Sequence, residues 1–528
     1  MSKLHSLLLM CSLALGAAAC DQPGTGTVTE DPSDLSPEPG SGVVTQPSPT
    51  PGTPGEPGPA PTPPAEEPTY AREWYVSPSG SDTAAGTKGA PFRTIAKAVS
   101  VVGPGEIVRV QAGTYAEKLR IATNAKAGTA AAKITLKGEG SPRIVPVSGG
   151  WYMWQVQRPN WIIDGFEFDG QGAPQVAITF SGTTQGSVLR NSELHHGAFG
   201  SGVNTADAAI GVTIENNHIH HFSRGSDDSH GIVITPTSQD ITVRNNVIHD
   251  NSGDSVQCIG PEGFSTLAPA EQVLIEGNHM HSNDENAVDI KSCFGVTIRR
   301  NRMNGFRQTS SARGEAVVVH LSARDVVIED NDISDAALGI AIGGNAGDFG
   351  QVRNVSIRRN RIRDTVAPEG TGIRIEGSQN VRVLHNTITH TAGFAFSVGH
   401  GTNGSSTATL VKNNIFASRA AVNLGSLAPG MDMDHNLYLP GAGFFQGSMF
   451  VPSATWTGMS LSSWRATGHD ASSVQGSAVL APGSLVMPGS DAVDRGADIG
   501  LAFCGAAPDL GAVESGCAAG ATAANVGE

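Results

Sequence analysis

The sequence predicts an all-β solenoid, and three observations carry that prediction. One unit, apolar-x-Ile-x-x-Asn-x-Ile, recurs as VTIENNHI (212–219), ITVRNNVI (241–248), VLIEGNHM (273–280) and VTIRRNRM (296–303). It continues as VVIEDNDI (326–333), VSIRRNRI (355–362) and VRVLHNTI (381–388), at spacings of 23 to 32 residues, the period of a solenoid coil. Each unit is followed by a turn and a second short strand, among them HGIVI, DSVQC, NAVDI, EAVVV, LGIAI and TGIRI. Their alternation buries one face and exposes the other. The composition agrees: 66 Gly and 31 Pro among 528 residues, with only 16% charged, suit a β-rich exported protein better than a helical one.

From the N-terminus, MSK leads into the apolar run LLLMCSLALGAAA and then Cys20. Residues 1–19 have the form of a signal peptide, too short to span a membrane. AAAC resembles a bacterial lipobox, which implies lipidation of Cys20 and an exported lipoprotein of the outer membrane or cell surface. Without lipidation the chain would be secreted. The lipid at Cys20 is the only expected membrane contact. Residues 20–69, with stretches such as PSPTPGTPGEPGPAPTPP, have almost no apolar side chains and read as a disordered, extended spacer. The net charge of −15 opposes nucleic-acid binding, which needs a positive field. It also opposes an acidic polysaccharide, unless a cation or a local basic patch intervenes.

The fold begins near Glu73, where WYVSPSGSDTAAGTKGAPFRTIAKAVSVVGPGEIVRVQAGTYAE reads as strand, glycine-rich loop, short amphipathic helix and strand. This segment resembles the opening of secreted right-handed parallel β-helix proteins of the pectate-lyase-like group, in which a helix at the position of TIAKAV caps the open end. An uncapped end would be a sheet edge. The expectation is a right-handed parallel β-helix of roughly nine to eleven coils over residues 70–416. Residues 417–517 are expected to form C-terminal coils and an irregular cap, and 518–528 a disordered tail. The expected state is a monomer. DRGADIGLAFCGAAPDLGAVESG resembles the closing segment of such solenoids.

Within the repeats, Asn217, Asn246, Asn278, Asn301, Asn331, Asn360, Asn386 and Asn413 form a column. Stacked amides bond to one another along an axis, so these residues read as scaffold. A second column alternates in sign: Glu215, Arg244, Glu276, Arg299, Glu329, Arg358. At a coil spacing of about 4.8 Å each charge faces its opposite, a pair worth well under ~1 kcal/mol.

Stacking the second strands places an unusual polar set on one face. His230, Asp254, Gln257, Glu285, Asp289, Lys291, Glu315 and His320 fall on four consecutive coils. Arg374 follows two coils further along, and the acidic loop with Asp227 and Asp228 enters from the side. Lys291 is the only lysine between Lys137 and Lys412. A lysine, unlike an arginine, gives up its proton when desolvated. The bland alternative is an ion pair with Asp289, two residues away on the same face.

Calcium-dependent pectate lyases of the resembled group use a lysine or arginine to take the C5 proton of a uronic acid, with a cation on the carboxylate. By that resemblance Lys291 is the base, with Asp289 and His320 beside it. Asp254, Glu285 and Asp289 are the Ca2+ ligands, of the oxygen type calcium accepts, and His230, Gln257, Glu315 and Arg374 contact a pectate- or alginate-like chain. Two other readings stand. One is a glycoside hydrolase using Asp254 with Asp289, or Glu285 with Glu315; the other is a non-catalytic carbohydrate-binding surface protein.

A histidine stripe, His218, His220, His221, His249, His279 and His281, reads as structural stacking. Cys504 and Cys517 are close in an exported chain and are expected to pair. Cys258 and Cys293 pair only if the coils bring them together.

Overall fold

The structure, a computed structural model, describes residues 67–517 apart from 263–265, 311, 400–403, 426–427, 448–456, 482–484 and 487–488. Residues 1–19, expected to be a signal peptide, Cys20, nearly all of the expected spacer and the expected tail from 518 lie outside the described residues. Among the described residues no helix is long and apolar enough to cross a membrane.

Each coil turns the chain twice between three strands. Phe294–Arg299, Arg302–Phe306 and Glu315–His320 make one such coil. The first turn is tight because one residue adopts left-handed geometry: Asn216, Asn245, Gly277, Arg300, Asp330, Arg359, His385 and Asn413 occupy it on successive coils. That conformation bends the backbone sharply between two sheets, and Asn, Asp and Gly enter it at the least cost. Stacked coils form three parallel sheets of 14, 13 and 14 strands, the right-handed β-helix expected from the repeats. Eleven of the 13 strands in the middle sheet lie before residue 417, and two follow it.

The residue after each left-handed turn points inward. There Asn217, Asn246, Asn278, Asn301, Asn331, Asn360 and Asn386 are each 2% exposed or less. From Asn246 onward each Oδ1 accepts the backbone N–H and side-chain amide of the Asn one coil before, whereas that of Asn217 accepts the Ser192 N–H, and the second amide proton goes to a backbone carbonyl. For Asn301 these bonds run 2.9–3.0 Å. The ladder continues through Asn414 and Asn436, which corrects the eighth expected member, Asn413. In VKNNIF the inward residue that matches Met303 is Phe416, paired above Ile388, and this fixes Asn414 as the ladder residue. Asn413 instead holds the closing segment, donating to the Ala497 carbonyl at 2.8 Å and accepting from the Ala497 N–H at 2.9 Å.

The charge column is paired in register. Arg244 meets Glu215 at 2.6 Å, Arg299 meets Glu276 at 3.0 Å and Arg358 meets Glu329 at 2.7 Å. It starts earlier than the repeats suggest, with Asp164 between Lys137 and Arg190.

The capping helix spans Ile95–Val101, with Thr94 as its N-cap accepting from the Lys97 N–H at 3.1 Å. It buries Ile95, Ala98 and Val99 and packs on the first strands of the solenoid. At the other end Trp464 stacks on Phe444, 5.3 Å between ring centres.

Cys504 pairs with Cys517, and Cys258 pairs with Cys293. The second bridge closes a 35-residue separation between neighbouring coils, beside Lys291. Replacing both cysteines by alanine is expected to lower stability by about 3–4 kcal/mol through the larger unfolded ensemble. The urea midpoint of the variant, compared with that of the oxidised chain, measures this.

Candidate functional site

The middle sheet presents the polar set. Its strands His230–Ile234, Val256–Cys258, Val288–Lys291, Glu315–His320, Leu338–Gly343 and Thr371–Glu376 pair in the register expected from the sequence. Val233, Gln257, Asp289, Val318, Ala341 and Arg374 form one outward column, and Lys291 is level with His320.

Three groups of side chains result. In the first, Asp289 accepts from Lys291 Nζ at 3.0 Å on one oxygen and approaches His320 Nε2 at 2.9 Å on the other. Burial alone would raise the Asp289 carboxyl, but the Lys291 and His320 charges outweigh it and hold the group well below the usual carboxylate range. Burial would likewise lower the Lys291 ammonium, yet Asp289, Asp254 and Glu285 hold it well above its ordinary value. In its resting state Lys291 is therefore charged.

In the second group, His230, Asp254 and Glu285 bring one donor atom each within 4.8 Å of the others. Asp254 is fully buried. Its Oδ1 accepts from the Asn286 N–H and Nδ2 at 3.1 and 2.9 Å, and its Oδ2 accepts from Gln257 Nε2 at 3.0 Å. His230 Nδ1 accepts the Asp254 N–H at 2.8 Å, which places the ring proton on Nε2. Gly253 lets the chain pass there, since a Cβ would lie 2.4 Å from that Nδ1. Asp289 stands outside this group, its two oxygens committed to Lys291 and His320.

Crowding makes Glu285 unusual. Burial, then the charges of Asp254 and Asp228, push its carboxyl up to about 9. At neutral pH it holds a proton unless a cation replaces that proton. The folded chain thus binds this proton more tightly than the unfolded one. The resulting stability is full below the ordinary carboxyl value and is lost as pH rises toward 9. Glu285→Gln is expected to melt with the parent near pH 4.5 and to gain on the order of 2 kcal/mol over it by pH 9. Thermal melts across that range provide the comparison.

The third group lies further along the sheet. Arg374 is clasped by Glu369 at 2.7 Å and Glu376 at 3.0 Å, with Glu315 at 3.8 Å. Burial pushes the Glu315 carboxyl up in spite of Arg374. The expected set is therefore one surface in three compartments.

Sequence reasoning missed Glu262 and Glu369. Glu262 meets the Ser292 hydroxyl, and burial raises its carboxyl while Lys291 and His320 oppose the rise. Both residues come from loops between strands, where no period guides the eye.

Comparison with known proteins agrees with this architecture. Residues 156–268 and 265–416 match the family described as right handed beta helix region, and 78–121 match a family of unknown function, DUF1565. An uncharacterized Bacillus subtilis (strain 168) protein, YwoF, is 25% identical over 210 residues, 36% of this chain and 44% of that protein. The chain thus spans under half the length of this curated relative. Among solved structures, the family 6 alginate lyase AlyGC aligns with TM-score 0.51 at 14% identity, over 75% of this chain and 54% of its own. A mannuronic acid specific polysaccharide family 6 lyase from human gut microbiota aligns with TM-score 0.49 at 14% identity, over 76% and 91%. The pectate lyase Pel9A aligns with TM-score 0.41 at 17% identity, over 84% and 97%. At these identities the likeness is one of fold.

Proposed function

We propose that this protein is an exported, polysaccharide-acting β-helix, tethered through a lipidated Cys20, that cleaves a uronic-acid chain by β-elimination. The observation that carries the reading is the juxtaposition of a single half-buried lysine with a crowded carboxylate pair on one sheet face. The likeness in fold to the alginate lyase AlyGC supports the substrate class.

Lys291 is the base. After the resting ammonium has given its proton to solvent, the free amine takes the proton from C5 of the sugar, the C–H electrons form the C4=C5 double bond, and the C4–O glycosidic bond breaks. The leaving oxygen then takes up a proton. Asp289 positions Lys291 against His320, and His320 faces the same space as a hydrogen-bonding partner. His230, Gln257, Glu315 and Arg374 line the groove on either side, Arg374 being held in place by its carboxylates.

A calcium ion fits the second group. Asp254 and Glu285 offer oxygens, and Asp228 lies near enough to feel their charge. The pressure that protonates Glu285 is one that a hard cation relieves. Bound there, the ion would supply charge neutralisation for a sugar carboxylate. It would also weaken the negative field that keeps the proton on Lys291.

One observation favours a second reading. A carboxyl held protonated near neutral pH, as at Glu285, suits the acid of a glycoside hydrolase. The deciding experiment treats pectate, alginate and glycosaminoglycans with the full chain, with and without calcium. Ultraviolet absorbance from a new double bond conjugated to the carboxylate supports the lyase. New reducing ends without it support the hydrolase, and retention on the polysaccharide with neither leaves a binding protein.

A further inference from the structure

A different sheet carries a second concentration of chemistry that the proposed reaction does not use. Eight of the chain's 16 histidines lie on four successive coils. His195, His220, His249 and His281 form one outward column, their rings stacked at centre distances of 5.4, 5.1 and 4.6 Å. His218 and His279 stand one position over, and His196 and His221 occupy the left-handed turn. Stacking alone does not require this. Later coils of the same sheet put Asn304, Ser334 and Arg363 in the stacked column and hold their register without histidine.

The ring nitrogens face one another. His218 Nε2 approaches His249 Nε2 at 2.6 Å, and His220 Nδ1 approaches His221 Nδ1 at 2.6 Å. Only one proton fits in each gap. Glu193 adds an oxygen 3.2 Å from His220 Nε2 and 4.0 Å from His218 Nδ1, one coil below. Asp169 with His195 and His196, and Asp250 with His221 and His249, repeat the pattern on either side.

We propose that this face binds a divalent transition-metal ion of the zinc class, with Glu193, His218 and His220 as the central ligand set. Two imidazoles and one carboxylate are a donor set that zinc accepts, with the fourth position open to water. Two nitrogens on one tetrahedral zinc stand about 3.3 Å apart, and the donor atoms of Glu193, His218 and His220 lie within 4.8 Å of one another. The mixed nitrogen set sorts this face from the oxygen-rich calcium candidate beside Lys291.

Titration of the full chain with Zn2+ alone, followed calorimetrically at neutral pH, tests this. At least one equivalent is expected to bind with Kd below about 1 µM, and His218→Ala/His220→Ala is expected to weaken it at least tenfold. Cu2+ in the same protein is expected to give a nitrogen-coordinated paramagnetic resonance spectrum, lost in that variant. His390→Ala, at an exposed histidine elsewhere, serves as the control and is expected to change nothing. Weaker binding than this overturns the proposal. So does binding that the double variant leaves intact, provided its circular dichroism matches the parent. The zinc readout is independent of any polysaccharide activity, so the two readings fail separately.

Discussion

Replacing Lys291 by alanine is expected to lower β-elimination by about 100- to 10,000-fold, the range that a positioned general base contributes. The strand keeps its place without the side chain, because Ile290 is buried and Cys293 is bridged to Cys258 on the coil below. What is lost is the amine, together with one of the two cations that hold Asp289 ionised. Lys291→Arg tests how far the rate depends on releasing that proton, because arginine keeps the charge and the ion pair but gives up its proton far less readily than lysine. An inactive Lys291→Arg variant with a parental melting curve supports proton abstraction. Full activity in the Lys291→Ala variant removes Lys291 from the role of base. The rate is read as initial ultraviolet absorbance change on the best substrate of the panel.

The second large effect concerns the scaffold. Asn301→Ala is expected to destabilise the chain by about 3–5 kcal/mol, since it strands several buried polar groups at once. The Asn278 N–H and amide lose their acceptor, and the Ile275 carbonyl loses a donor. These groups cannot reach water, and neighbouring coils cannot close on the gap without breaking register with both sides. Thr297→Ala, half-buried on an outward face of the same coil, is expected to shift the urea midpoint by less than about 0.5 kcal/mol equivalent. Equal effects at the two positions would mean that the ladder contributes nothing special.

How much was legible follows from where periodicity operates. The coil, the Asn column, the charge column and the level of Asp289 with Gln257 all repeat with the coil, so strand alternation and spacing exposed them. The one slip, Asn413 for Asn414, occurred where two asparagines adjoin and only the next inward residue decides. Loops between strands have no period. The approach of Glu369 to Arg374, of Glu262 to Ser292 and of Cys258 to Cys293 therefore could not be read from spacing. The site was legible as a set of residues but not as three compartments. Which oxygens Asp289 gives to Lys291 and His320, and which Asp254 gives to Asn286 and Gln257, depends on side-chain packing across coils. The same packing sets the two Asp289 oxygens against Lys291 and His320 and brings His230 up against Asp254 and Glu285.

The alternating charge column has an implication for how such a chain can lengthen. From Lys137 and Asp164 through Arg190 to Glu329 and Arg358, the sign reverses at every step. Inserting a single coil in that stretch sets two like charges against each other, whereas inserting two restores opposition everywhere. The column thus acts as a parity check on duplication. Growth or loss in even numbers of coils keeps the surface neutral in pairs, and odd steps leave a mismatch that a further substitution must repair.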